Sequence, residues 1–294
     1  MKARLLTALD WLAALGARLM FGALRLLGLR AASALGGALL PVLGPLTRNH
    51  RHMMDNLRLA LPERAAEHRA IARAAWANLG RTAFEYVHLD RVWDFDGGRV
   101  HSDDATKAAF ARLRAEGRPV LMFAAHLGNW EVPAVVAARM GDRGAILYRT
   151  PNNRFIAADI VRLRAPIMGE LIPAGLSAPI RMAEALDRGL SLGMLVDQRF
   201  GRGPMVPFFG QPAASNPFLA RLARRFEAPV YGMRAIREPG PRFRIELVGP
   251  IALPRDAAGR VEVEAATARV NAIIEGWIRE DPGQWLWMHR RWRR

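Results

Sequence analysis

The chain contains no cysteine. That excludes disulfides, a cysteine nucleophile and thiolate metal sites, and it fits a reducing compartment. No metal centre is expected, since His50 and His52 lie two apart on a polar segment with no ligand set nearby. Neither G-x-G-x-x-G nor G-x-x-x-x-G-K-[ST] occurs, so a dinucleotide fold and a P-loop are both unsupported. There is no internal repeat and no low-complexity tract. Acidic residues are in deficit, with 27 against 43 basic ones, and nearly all the basic ones are arginine. The resulting charge of +16 attracts nucleic acid, an anionic membrane surface, or acidic substrates and proteins. Sign alone does not choose among them, although the planar arginine fork suits phosphate.

What is present is apolar. Hydrophobic residues make up 51% of 294, enough for one large domain, or two small ones, with a sizeable core. The first 48 residues are basic and apolar. No clean run of eighteen apolar residues precedes Arg30, because Asp10, Arg18 and Arg25 interrupt it. Residues 31–47 are uncharged but carry Pro41, Pro45 and three glycines. No small-residue cleavage site follows the first apolar block. Residues 1–48 are therefore expected to form a membrane-embedded or interfacial helical segment, with arginine stems snorkelling to headgroups. The alternative is an amphipathic helical hairpin packed on the remaining domain, 49–294. An apolar N-terminus, and aromatics not interleaved with basic residues in any recognised module, argue against a nucleic-acid partner.

Beyond residue 50 the pattern is helical to about 90, broken at Pro62 and Gly80, with a further helix over 103–116 ending at Gly117. Strands and helices then alternate. Strands are expected at 119–125, 144–150, 170–175 and 191–198, with helices at 129–141, 153–164 and 177–189. Ser177 is a plausible N-cap. A loop over 199–215 leads to a helix at 216–228, two adjacent strands near 229–248, and a long helix at about 261–280. The fold class is α/β: a central, mostly parallel mixed sheet flanked by helices, with an antiparallel portion near 229–248.

The chemistry centres on "HLGNWE", residues 126–131. Positions five apart in a helix are rotated by about 140°. His126 and Glu131 therefore meet only if His126 precedes the helix, with Leu127–Gly128 turning, Asn129 capping and Glu131 in the first turn. A histidine at the carboxyl end of a strand sits where α/β sheets place their sites. A carboxylate on one ring nitrogen would leave the other as a base. Pattern alone leaves a catalytic pair and a merely polar turn equally open. Asp197 ends another strand on the same edge, where it would orient His126 or bind a hydroxyl, or simply cap the next turn. Arg149, Arg154, Arg162, Arg164, Arg199 and Arg202 form a basic rim suited to phosphate or an oxyanion. Ser191 matches G-x-S-x-G, but a helix precedes it and a strand follows. That inverts the nucleophile elbow, so no covalent intermediate is expected.

On these residues the chain resembles the late acyltransferases of lipid A biosynthesis, the lauroyl and myristoyl transferases of the wider lysophospholipid-acyltransferase-like superfamily. "HLGNWE" is similar to the superfamily's H-x-x-x-x-[DE] box. "NLRLALPE" (56–63), "YRTPNN" (148–153), "VDQR" (196–199), "VPFFG" (206–210) and "PGQWLWMHRRW" (282–292) match in order. The resemblance implies a glycerolipid-acyltransferase-like fold and a membrane-associated enzyme at the cytoplasmic face of a bacterial inner membrane. It implies transfer of a fatty acyl chain from an acyl-carrier-protein thioester to a hydroxyl of a phosphorylated glycolipid, a lipid A precursor, with no cofactor. By that likeness His126 is the general base and Glu131 orients it. Arg164, or else Arg149, stabilises the oxyanion. Asp197 stands in the place of a second carboxylate, and Asn129 and Arg199 complete the expected substrate- or oxyanion-binding set. The box is shared by enzymes that acylate other glycolipids or lysophospholipids, so that acceptor is the nearest alternative. A non-catalytic anionic-lipid-binding protein is the next. The tail, "QWLWMHRRWRR", is expected at the site mouth or the membrane interface, or as a packed terminal strand with a solvated end.

Overall fold

The computed structural model describes residues 2–94 and 98–292. Four helices come first: α1 (Lys2–Leu43), α2 (Arg48–Ala60), α3 (His68–Glu85) and the short α4 (Leu89–Val92). The α/β body follows as β1 (Val100–Ser102), α5 (Asp104–Glu116), β2 (Leu121–Ala124), α6 (Val132–Arg139), β3 (Gly144–Tyr148), α7 (Arg154–Met168), β4 (Glu170–Pro173), α8 (Ala178–Asp187) and β5 (Ser191–Leu195). A hairpin, β6 (Met205–Phe208) and β7 (Gln211–Ala214), precedes α9 (Phe218–Phe226), β8 (Val230–Glu238), β9 (Arg242–Val248) and α10 (Val263–Glu280). Seven strands form one sheet in the order β1-β9-β8-β2-β5-β3-β4. Every pairing is parallel except β8 with β9, so the expected mixed α/β sheet is the observed one. Caps set the helix starts as the residue types dictate. Asp103 accepts the N–H of Thr106, and Asn153 accepts those of Phe155 and Ile156.

Three expectations changed locally. Residues 199–215 are not a plain loop, because β6 and β7 pair within them. Pro207 faces Pro212 across the hairpin, which hid both strands from propensity, and Phe209 and Gly210 turn it with positive φ. Ser177 makes no cap bond; Pro179 in the first turn of α8 supplies the start instead. Among the described residues the tail forms no terminal strand. A short 3-10 turn, Pro282–Gln284, leads to Trp285 and Trp287, both buried against Phe208 and Phe209. Arg291 is buried with them, while the tail's end at residues 293–294 lies outside the described residues.

The glycines of α1 do not end it before Leu43. They let it press on α3: a Cβ on Gly36 would lie 2.1 Å from the Gly80 carbonyl oxygen, and one on Gly80 would lie 2.0 Å from that of Gly36. Backbone meets backbone there, as in small-residue helix crossings. The helix bends at Gly28, whose φ of 76° breaks the run. Arg18 and Arg25 were expected to snorkel. Instead Arg18 binds Asp159 at 2.8 Å and Arg25 binds Asp90 at 2.6 Å, fastening α1 to the body along its length.

Behind the turn that follows β2 lies a buried polar network. The Glu85 carboxylate accepts from Ser33 Oγ of α1 (2.6 Å), Asn129 Nδ2 (2.9 Å) and both Nη atoms of Arg237 (2.5 and 2.9 Å). Asn78 and Thr82 of α3 donate to the Gly128 carbonyl, and Asn78 also accepts from Arg237 Nε. Burial alone would raise the Glu85 carboxyl. Arg237, Ser33 and Asn129 outweigh it and hold the group below the ordinary range. Gly128 has φ 55°, and a Cβ there would lie 2.0 Å from the Ala235 carbonyl oxygen, so only glycine fits. We expect Glu85→Ala, which strands the Arg237 guanidinium, to cost about 3–5 kcal/mol in denaturant unfolding in micelles. A loss below about 1 kcal/mol would show that the network is dispensable.

Candidate active site

His126 stands just beyond β2, and Asp197 two residues beyond β5, its parallel neighbour. Parallel pairing thus delivers both to one edge, as the strand pattern implied. The Asp197 carboxylate is fully buried. One oxygen takes His126 Nδ1 at 2.8 Å; the other accepts the His126 backbone N–H at 2.9 Å and the Trp285 indole N–H at 2.8 Å. Burial pushes this carboxyl up, but the neighbouring His126 and its hydrogen bonds outweigh that and bring it down to about 2. An ionised carboxylate can only accept, so Nδ1 turns its N–H to Asp197, and Nε2 is the ring nitrogen left for other partners. Nε2 faces outward, 3.3 Å from the side-chain amide of Gln198, and the Trp130 ring lies 5.2 Å from the imidazole.

Glu131 was expected to hold His126. The carboxylate bonded to the ring is that of Asp197, and Glu131 is bound instead to Arg164 of α7 in a short, nearly buried ion pair. The reason is the helix start. The helix begins at Val132, two residues later than Asn129 capping would give, and Glu131 occupies the cap position itself. Asn129 makes an Asx turn to the Glu131 N–H, and its amide is spent on Glu85. It is fully buried and shapes the turn rather than facing the cavity. Pro133 sits in the first turn of α6, where its missing N–H costs nothing. Arg164 also lies over the rings of Tyr86 and Tyr148, with centroid distances of 5.5 and 5.8 Å. Burial, and then the charge of Glu131, push the Tyr86 hydroxyl well above its usual range.

His126, Glu131 and Arg164 open onto a cavity of about 1150 Å³, larger than a drug-sized ligand requires. Arg149, Arg199, Arg202 and Arg221 also line it, so the expected basic rim exists at the strand ends. Arg154 and Arg162 stand apart from it, the first over the Phe155 ring and the second 3.8 Å from Asp159. Strand parity separates two lobes. On one face Met122, Gly193 and Ile146 lie side by side under the small residues Ala134, Ala137 and Ala138 of α6. A Cβ on Gly193 would come within 2.7 Å of Ile146 Cδ1. This slot ends at Gly144, Asp142 and Ser191, whose hydroxyl donates to Asp142 at 3.1 Å. Ser191 is thus a buried wall residue at a strand start, not a nucleophile. The other lobe takes in Leu147, Met194, Met182 and Phe218.

Three residues at the site went unassigned in the sequence. Gln198 adjoins Asp197 inside the "VDQR" block. Trp285 and His289 belong to the C-terminal block that was placed at the mouth or interface; His289 lines the cavity, and burial holds it below the ordinary histidine range. The C-terminal segment reaches the site because Gly128 N–H donates to the Gln284 carbonyl and Leu286 N–H to that of His126. Order of motifs was the available signal; contact was not legible.

The chain is 25% identical over 256 residues to the lipid A biosynthesis palmitoleoyltransferase of Escherichia coli (strain K12), covering 84% of this chain and 80% of that protein. It is equally similar to the lipid A biosynthesis acyltransferase of Shigella flexneri, with the same coverage. The sequence pattern of bacterial lipid A biosynthesis acyltransferases matches residues 1–294, end to end. A histidine and two carboxylates on one sheet edge, over a long apolar slot, therefore sit within a chain that belongs to the bacterial lipid A biosynthesis acyltransferase family.

Proposed function

We propose that this acyltransferase moves a fatty acyl chain from an acyl-carrier-protein thioester to a hydroxyl of a lipid A precursor, with His126 as general base. The observation that carries the mechanism is the polarity of His126: Nδ1 is tied to a buried carboxylate, Nε2 lies beside the Gln198 amide, and the residue lines the cavity. The acceptor hydroxyl gives its proton to Nε2 as its oxygen attacks the thioester carbonyl. Asp197 stabilises the imidazolium that forms. The tetrahedral oxyanion collapses, the C–S bond breaks, and the imidazolium returns its proton to the leaving thiolate. Arg164, held rigid by Glu131 and two tyrosine rings, is placed to stabilise the oxyanion. A thioester is already activated, so this route calls on no group beyond the chain's own residues and its two substrates.

The slot beneath α6 suits the acyl chain. From Gln198 to Ser191 it follows β5 and the three residues after it, roughly 20 Å. The arginine rim suits an acidic carrier protein and the acceptor's phosphates. Helix α1 supplies the membrane contact at the cytoplasmic face of the inner membrane. Residues 9–46 are long and apolar enough to cross a bilayer, and Leu19, Leu26, Leu27 and Val42 lie exposed. Yet the Arg18–Asp159 and Arg25–Asp90 pairs hold the helix against the body. Crossing would drag those charges into hydrocarbon, which favours a helix lying along the interface.

We expect His126→Ala to lower kcat by about 10²–10⁴-fold in transfer from a radiolabelled acyl-carrier thioester to a lipid A precursor. Asp197→Asn, which removes the acceptor that fixes the tautomer, should lower it by a comparable factor. Undiminished transfer in either variant removes the base assignment, and transfer to a different lipid alone moves the acceptor. Gly193→Leu fills the slot midway. We expect it to shift the preferred acyl chain to shorter lengths in a competition among carrier thioesters, with shorter chains turned over nearly as before. An unchanged length profile would place the chain elsewhere in the cavity.

A further inference from the structure

Among the described residues, the large apolar side chains left in water fall almost wholly on α1 and the turn after it. The exceptions are Leu176, Ile180 and Met205, exposed by 97%, 64% and 58%. Met205 stands alone on the hairpin, but Leu176 lies in the turn just before α8 and Ile180 in that helix's first turn, so the two are close neighbours in the chain. A leucine this exposed is ordinary when single. Here it adjoins the cavity mouth, which Gly175, Leu176 and Pro179 help to line.

Placement adds a second observation. Tyr148 and Pro173 pair at the ends of β3 and β4, and Ala174 N–H donates to the Tyr148 carbonyl at 2.7 Å. Leu176 therefore emerges beside the end of β3. Helix α1 reaches the same edge, where Asn153 Nδ2, at the start of α7, donates to the Asp10 carbonyl at 2.7 Å. The exposed apolar face of α1 and the Leu176–Ile180 pair thus share one rim of the sheet. Arg181 follows Ile180 in α8, and Arg149, which follows Tyr148, lines the cavity. Exposed apolar side chains with arginines nearby complement a leaflet with anionic headgroups.

We propose that Leu176 and Ile180 form a second membrane contact, a lip set into the headgroup–acyl boundary at the cavity mouth. It extends the membrane contact proposed for α1 and rests on it. The consequence is a continuous apolar path from leaflet to cavity, so that an acceptor's chains need not cross water to reach His126.

Because the chain has no cysteine, a single introduced one can be labelled uniquely. Leu176→Cys, Leu19→Cys on α1 and Lys107→Cys on α5 would each carry an environment-sensitive fluorophore in the full chain. Each is mixed with vesicles of phosphatidylethanolamine and phosphatidylglycerol, with shallow spin-labelled lipid as quencher. We expect the labels at 176 and 19 to shift to the blue and be quenched, and the label at 107 to stay unchanged. A shift at 19 but not at 176 overturns the lip and leaves the anchor standing. A shift at 176 but not at 19 does the reverse, and shifts at neither refute both. In the same vesicles, Leu176→Asp with Ile180→Asp should weaken co-sedimentation at least about tenfold; unchanged sedimentation counts against the lip.

Discussion

One buried carboxylate organises the site. Asp197 has no access to water, and an isolated charge there would cost several kcal/mol. Three donors offset that cost, and they come from two distant stretches of chain. The backbone and ring of His126 arrive from the end of β2, and the indole of Trp285 from the C-terminal segment. Satisfying Asp197 therefore ties the middle of the sheet to the C-terminal segment. It also fixes which imidazole nitrogen holds the proton. Stability and the polarity needed of a base share a single origin, so neither can be altered without the other.

The two ends of the H-x-x-x-x-E box have separate duties. His126 belongs to the Asp197 system, while Glu131 belongs to Arg164 and the tyrosines around it. The turn between them, held by Asn129, Gly128 and the Glu85 network, keeps the two systems at a fixed offset. An arginine neutralised by one carboxylate and clasped by aromatic rings is a preorganised cation, which suits charge that develops late in a reaction.

Much of the architecture was legible because periodicity is local. The alternation of apolar strands and helices after residue 118 gave four strands of the sheet, and the adjacent pair near 229–248 gave its antiparallel portion; the three-residue β1 was too short to show a pattern. The site's membership was legible for the same reason: His126, Arg149 and Asp197 all end strands, and parallel strands end on one edge. Partnership was not. Glu131 is five residues from His126 and was the natural candidate, yet the bond goes to Asp197, 71 residues on. Trp285 is 88 residues further from its carboxylate. Such contacts depend on register and on where a helix truly starts, and Asn129 mimics a cap while making a different turn. The hairpin was hidden by prolines that β pairing tolerates only at an edge.

The Gly36–Gly80 crossing has an implication for how this enzyme can be handled. A chain cut at residue 49 to remove the apolar helix would uncover the face of α3 on which Gly36 rests. It would also take Ser33 from Glu85, and Glu85 steadies the turn that carries His126. The helix that makes the protein awkward in water is thus also a strut of its interior. Deleting it for solubility would trade one exposed apolar surface for another and loosen the turn beneath the histidine.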